Sequence, residues 1–174
     1  CEWLEEARKS GKEVRIIDIE KELESEIEIQ GVKIKLRGFA DRIDRVGDTL
    51  RIIDYKTGKV EASNLKYSGV PESICTSGKI KLLQILMYGY CALKHYEGEM
   101  EMGMISMRNL TAGFIPAQDK NSSLNRENVE EIFPQALEHL FNTMMAEDFV
   151  WTHEKDANFC VYCSGQGFEP KRKF

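Results

Sequence analysis

The chain has 174 residues, of which 42% are hydrophobic and 30% charged, with a formal net charge of −5 and a pI of about 5.4. This length suits one α/β domain with a core of its own and is short for two. The acidic balance gives no global attraction for nucleic acid, which would need local basic patches or bound metal. No run approaches the roughly 18 apolar residues of a membrane span, so no membrane partner is expected.

The five cysteines form an odd set without even spacing, which predicts a reducing, cytoplasmic setting. They are Cys1, Cys75, Cys91, Cys160 and Cys163. The chain opens on cysteine rather than methionine, and we therefore expect residues 1–174 to be a single domain from a longer protein.

The first half of the chain predicts the end of a helix followed by two hairpins. Residues 2–13 are rich in charge and helix-like, whereas residues 14–55 alternate with a period of two. Gln30-Gly31 and Gly47-Asp48 stand where two-residue turns belong, which divides this region into three strands. Residues 57–78 then predict a long loop, a feature that is often functional inside a compact domain.

The second half predicts two helices with two strands between them. Residues 79–96 are apolar nearly all round, as expected of a buried helix, and residues 124–146 form a second helix that Pro134 should kink or break. Strands are predicted at 99–108 and 113–118. Residues 154–174 predict an irregular tail that contains Cys160 and Cys163.

The two turns fix a register for the three strands. A two-residue turn at Gly47-Asp48 sets Asp41 opposite Asp54. A similar turn at Gln30-Gly31 sets Ile27 opposite Ile34 on the core side. On the other face it aligns three pairs of opposite charge: Glu28 with Lys33, Glu26 with Lys35, and Glu24 with Arg37.

This register, continued toward the start of the first strand, gathers acidic side chains on one face. Glu20 falls opposite Asp41 unless a bulge at Gly38 interrupts the ladder, and Lys56 projects to the same face as Asp54. Adjacent carboxylates repel, and a divalent cation held through oxygen removes the conflict; magnesium suits such a site. The lysine could orient or help to deprotonate a water, which is the chemistry of phosphodiester hydrolysis.

The same charges have structural explanations. Glu22, Glu24, Glu26 and Glu28 fit a solvated strand face, and Arg42, Asp44 and Arg45 could form ion pairs.

At these residues the sequence resembles a known family. Asp41, twelve intervening residues and Asp54-Tyr55-Lys56 resemble the PD-(D/E)XK nuclease superfamily. The strings GFADRIDR (38–45) and IDYKTG (53–58) are similar to its RecB/AddB-type branch, and Gln84 and Tyr88 match that branch's Q-x-x-x-Y motif.

The resemblance implies an α/β, restriction-endonuclease-like αβββαβ core with a central mixed sheet flanked by helices. It implies a magnesium-dependent DNA nuclease, with manganese as a substitute, exonuclease-like and part of a repair or recombination helicase-nuclease. The implied metal ligands and catalytic groups are Glu20 (or Glu22), Asp41, Asp54, the Tyr55 carbonyl and the catalytic Lys56. Gln84 and Tyr88 would line the site or touch DNA, one helical turn apart; a buried polar pair is the alternative.

Two departures from the family pattern affect activity and cofactors. Members commonly carry a metal-binding His before the first strand, whereas His95, His139 and His153 all come later, so such a His would precede Cys1. Some members bind an iron-sulfur cluster through four cysteines. Cys160 and Cys163 match two of these, but Glu169 stands at the third position, and zinc, a redox pair or two packed thiols fit equally.

Two alternatives to the repair nuclease follow. One is a noncatalytic relative that keeps the fold for DNA binding or assembly, which the absent His favours and the intact Asp41, Asp54 and Lys56 oppose. The other is a phage or defence nuclease with the same site.

Overall fold

A computed structural model of the chain describes residue 11, residues 13–119 and residues 122–147. The predicted helix at 2–13 and the Cys160–Cys163 tail lie outside the described residues. Within the described part, no helix is long and apolar enough to cross a membrane.

A five-stranded mixed sheet forms the centre of the molecule, in the order β1-β2-β3-β5-β6. Its strands are β1 (Val14–Ile29), β2 (Val32–Val46), β3 (Thr49–Lys56), β5 (Met100–Ser106) and β6 (Phe114–Pro116). Three of the neighbouring pairs are antiparallel, and β3 with β5 is parallel. Short strands β4 (Lys66–Tyr67), β7 (Gln118–Asp119) and β8 (Ser122–Ser123) make a separate small sheet. Together with the two helices described next, this sheet confirms the predicted α/β fold class with a central mixed sheet.

Two α-helices flank the sheet: α1 (Ile80–Ala92) and α2 (Arg126–Met145). α1 contributes buried aliphatic side chains on most of its faces, as its sequence predicts. α2 begins at Asn125, whose side chain accepts from Asn128 N–H in a reciprocal cap, and it continues through Pro134 without a break. The predicted loop at 57–78 contains three 3-10 turns and β4, and it buries Val60, Leu65 and Ile74.

The predicted strand register is confirmed. β1 pairs with β2 with Ile27 opposite Ile34 and the three expected charge pairs aligned, and β2 pairs with β3 with Val46 opposite Thr49. The outward Glu side chains of β1 are exposed, as a solvated face requires. Gly38 lies inside the ladder opposite Leu23, and the register shift falls between Ile16 and Asp18.

A local irregularity in the ladder lies at Glu20 and Asp41. Glu20 has φ 49°, a left-handed conformation that is uncommon for a residue with a side chain. On β2, the core residues change from even positions such as Ala40 to odd positions such as Ile43 across this point. The side chains that face the core on β2 therefore change here, beside the predicted site.

The sheet buries charge on β2 and β3. Asp44 is fully buried and forms ion pairs with Arg42 and Arg51, the latter through two hydrogen bonds of 2.7 and 2.8 Å. Arg51 also lies over the Phe114 ring, 5.1 Å from its centroid. The predicted ion pairing of Asp44 and Arg42 is confirmed, whereas Arg45 instead donates to the Asp48 carbonyl.

Candidate active site

The site begins where β2 and β3 stop pairing. Their last paired residues are Arg42 and Ile53, so Asp41 and Asp54 come just beyond the ladder. There the Asp41 carboxylate takes over as acceptor, and the Tyr55 N–H donates to its Oδ2 at 2.5 Å. A side-chain carboxylate thus takes the place of a backbone acceptor and holds Asp41 beside Tyr55 on β3.

β3 carries Asp54 and Lys56 side by side on the face toward α1. The Lys56 ammonium lies 2.8 Å from Asp54 Oδ2 and donates to Gln84 Oε1 at 2.8 Å. The end of β3 is held by β5, because Met107 N–H donates to the Lys56 carbonyl at 2.8 Å. The lysine is therefore presented from a fixed backbone.

Gln84 links the two strand residues to helix α1. Its Nε2 donates to Tyr88 Oη at 2.8 Å and to Asp54 Oδ1 at 3.3 Å, while its Oε1 accepts from Lys56. Reversing the amide would set its oxygen against Asp54 and its N–H groups against the ammonium, so this orientation is the favourable one. The four side chains of Asp54, Lys56, Gln84 and Tyr88 form one network, defined here as the Gln84 network.

The electrostatics at Asp54 are those of a buried acid. Its carboxyl is 4% exposed, and its pKa is raised, first because burial disfavours the charged form. Lys56 opposes this shift through its hydrogen bond and charge, and Asp41 adds to it through like-charge repulsion. Oδ2 is buried, and the Lys56 ammonium lies 2.8 Å from it, so the two groups form a close ion pair. A carboxylate oxygen can accept more than one contact, so Oδ2 can also bind a cation.

Glu20 is placed differently from the other predicted acids. It is exposed and lies at the irregular point of β1, between the pairs Ile19–Arg42 and Lys21–Ala40. Glu22, the alternative, forms an ion pair with Arg37 on the solvated face. Among the described residues, no three His, Cys, Asp or Glu side chains converge closely enough to hold a metal ion.

The carboxylates of Asp41 and Asp54 nevertheless suit a hard cation. Asp54 offers a buried carboxylate oxygen beside the Lys56 ammonium, and Asp41 lies close enough to raise the pKa of Asp54. Magnesium commonly takes one or two carboxylates and completes its shell with water and substrate phosphate, so two acids suffice. Asp41 and Asp54 therefore fit Mg²⁺ or a similar hard divalent cation.

The sequence did not predict the contact between the Tyr55 hydroxyl and Arg42. Arg42, anchored by Asp44, donates to the Tyr55 hydroxyl at 3.4 Å. The signal was present in the register, which puts Arg42 opposite Ile53, two residues before Tyr55 on the same face. Cys160 and Cys163, the candidate cluster or zinc ligands, lie outside the described residues.

The chain matches the family model of the PD-(D/E)XK nuclease superfamily over residues 1–167. No curated protein gives a significant match. A solved structure, "Crystal structure of SSO0001", is similar at 20% identity and a TM-score of 0.33, covering 83% of this chain and 57% of that one. The chain therefore spans little more than half the length of that structure.

Proposed function

The chain belongs to the PD-(D/E)XK nuclease superfamily, and from this premise we propose that it is a metal-dependent deoxyribonuclease. The observation that supports the proposal most is the buried Asp54 carboxyl beside Lys56 and near Asp41, with its pKa raised by burial and by the second acid. Ionising a buried carboxyl next to another acid costs stability, and a bound divalent cation would offset that cost.

Asp54 and Asp41 would hold the cation, with the Tyr55 carbonyl as a further ligand and Glu20 able to join only if β1 moves. The proposed ion is Mg²⁺, for which Mn²⁺ can substitute. When bound, such an ion polarises a phosphoryl oxygen and stabilises the leaving oxygen.

Lys56 is the proposed catalytic residue of the chain itself. An ammonium group has three N–H donors, and Asp54 and Gln84 occupy two directions around Lys56. The third is available to orient an attacking water or to contact a phosphoryl oxygen. Because the neighbouring groups restrain the ammonium, this contact would require little reorganisation.

The finer assignment follows the strings GFADRIDR and IDYKTG together with the Gln84 and Tyr88 pair. We infer an exonuclease-like domain of the RecB/AddB type, acting on DNA in the cytoplasm and serving repair or recombination with a helicase domain or subunit. The positions of Gln84 and Tyr88 in one network with Asp54 and Lys56 support this, since the motif residues then belong to a single site.

The proposal is tested by metal-dependent cleavage of labelled single-stranded and double-stranded DNA. Asp54→Ala and Lys56→Ala should each lower the rate by roughly a hundredfold or more, the scale of losing a positioned acid-base or electrostatic group. Glu26→Gln and Lys35→Met are matched controls, because both side chains are exposed on the solvated hairpin face, and they should cleave like the parent. Equal cleavage by parent and both site variants would refute the assignment. A parent that never cleaves with Mg²⁺ or Mn²⁺ would instead support the noncatalytic relative.

A further inference from the structure

We propose that Gly38 is a positioning residue of the active site: its missing side chain lets the Tyr88 ring seat against β2 and thereby orients the Gln84 amide. This inference rests on the proposed function for its effect on catalysis, but its structural part stands on packing and hydrogen bonds alone.

The space at Gly38 is filled by the Tyr88 ring. A Cβ at position 38 would lie 2.4 Å from Tyr88 Cε1 and 2.9 Å from Cδ1, with Met87 Cε at 3.2 Å. Real carbon atoms do not approach so closely, and the ring is rigid and 8% exposed, so it would have to move bodily. Gly38 has ordinary extended backbone within the ladder, so the requirement is for close approach and not for a special φ.

The Tyr88 hydroxyl is in turn the fixed point for Gln84. One of the two Gln84 Nε2 donors goes to Tyr88 Oη at 2.8 Å, and the weaker contact to Asp54 Oδ1 is 3.3 Å. The amide plane is therefore held from two sides, by Tyr88 Oη at Nε2 and by the Lys56 ammonium at Oε1, which is also 2.8 Å away. Loss of the Tyr88 contact would free one side of the amide that accepts from Lys56.

Displacement of the Tyr88 ring should therefore change the position of the Lys56 ammonium through Gln84. No direct contact between Lys56 and position 38 is needed for this effect. Shifts of about 1 Å in positioning groups can cost up to roughly a hundredfold in rate. Gly38→Ala should lower kcat by about ten- to a hundredfold, a larger change than in KM for DNA, because the transition state loses its aligned lysine.

The direct test is the NMR signal of the Gln84 side-chain amide in a double-mutant cycle on the full chain. Tyr88→Phe removes the acceptor and should move this signal. Gly38→Ala should move it too, but should add little in the Tyr88→Phe background, because it acts through the hydroxyl. Additive shifts, or an unchanged Gln84 signal in folded Gly38→Ala, would overturn the proposal.

Gly89→Ala is the matched control for disturbance of α1. Its Cβ would meet Met102 Sδ, a flexible side-chain atom, at 2.9 Å and the Val129 methyl groups at 3.5 Å, so the added methyl would press on β5 and α2 and not on β2. It should leave the Gln84 signal and the DNA cleavage rate unchanged. A Gln84 shift as large as that of Gly38→Ala would show a general effect of helix packing and would count against the proposal.

If Gly38→Ala does not fold, Gly38→Ala with Tyr88→Leu decides the packing claim, since leucine lacks the outer ring atoms. Recovery of a cooperative thermal transition supports the proposal, and failure to recover overturns it. Because the NMR and melting measurements need no cleavage, a coupled Gln84 signal in a chain that never cuts DNA would refute the proposed function only. Cleavage with no coupling would refute the positioning role only.

Discussion

The Asp54 carboxyl is buried, and its pKa is raised chiefly by that burial. For an acid whose pKa is higher in the folded state, the folded protein holds more protons than the unfolded chain between the two pKa values. The free energy of unfolding therefore decreases as pH rises through the window above the ordinary value of 3.8. The ionised form of Asp54 therefore lowers stability relative to the neutral form, which is typical of groups placed for chemistry rather than for folding.

Asp54→Asn should accordingly raise the Tm at neutral pH, because the amide has the same shape and no charge to desolvate. The gain should shrink as the pH falls through the raised pKa of Asp54 toward 3.8 and should vanish below 3.8, where the carboxyl is neutral in both states. Thermal melts of both proteins across this pH range measure the difference. A gain that grows on acidification would contradict the sign of the shift.

Asp44 is also buried, but its charge is paired with two buried arginines, Arg42 and Arg51. Asp44→Ala removes a buried carboxylate that Arg42 and Arg51 share and should cost about 3–5 kcal/mol, the usual effect of breaking a buried ion pair. Urea unfolding measures this value, and Glu26→Ala on the exposed face is the control, with a change within about 0.5 kcal/mol. A loss at Asp44 as small as that of the control would contradict the prediction.

At the scale of elements, the two hairpins formed by β1, β2 and β3 are the part of the fold that the sequence predicted best. The turns Gln30-Gly31 and Gly47-Asp48 and the alternating pattern were enough to place Asp41 and Asp54 at the same level. The position of Glu20 could not be foreseen, because its left-handed φ has no local signal in a glutamate. The contact between Gly38 and Tyr88 joins residues fifty apart in sequence, so no local pattern reveals it.

The junction of β5 and β6 offers a test of element packing. A Cβ at Gly103 would lie 2.3 Å from the Ile115 carbonyl oxygen, a backbone atom that cannot turn away. Gly103→Ala should therefore destabilise the protein by about 1–3 kcal/mol or more as the strands separate. Gly58→Ala, with nothing within 4 Å and ordinary φ, is the control in the same unfolding measurement. Equal stability of the two variants would contradict the close approach of β6.

At the scale of the whole molecule, the negative net charge and the acidic site point to the same requirement. A chain at −5 does not attract DNA by its overall charge, and Asp41 and Asp54 would repel a phosphate directly. A divalent cation reverses the local sign, so substrate binding and metal binding should be linked. Composition alone indicated that DNA would need local basic patches or bound metal, whereas the placement of the acidic side chains required the strand register and the fold.

The central claim is that the buried Asp54 carboxylate is there to hold a divalent cation, and metal-induced thermal stabilisation tests it most directly. Free Mg²⁺ or Mn²⁺ at about a hundred times Kd should stabilise the parent by about 2.7 kcal/mol, or several degrees in Tm. Glu26→Gln should respond like the parent, and Asp54→Asn should lose the response. An absent shift in the parent, or an equal shift in Asp54→Asn, would contradict the claim.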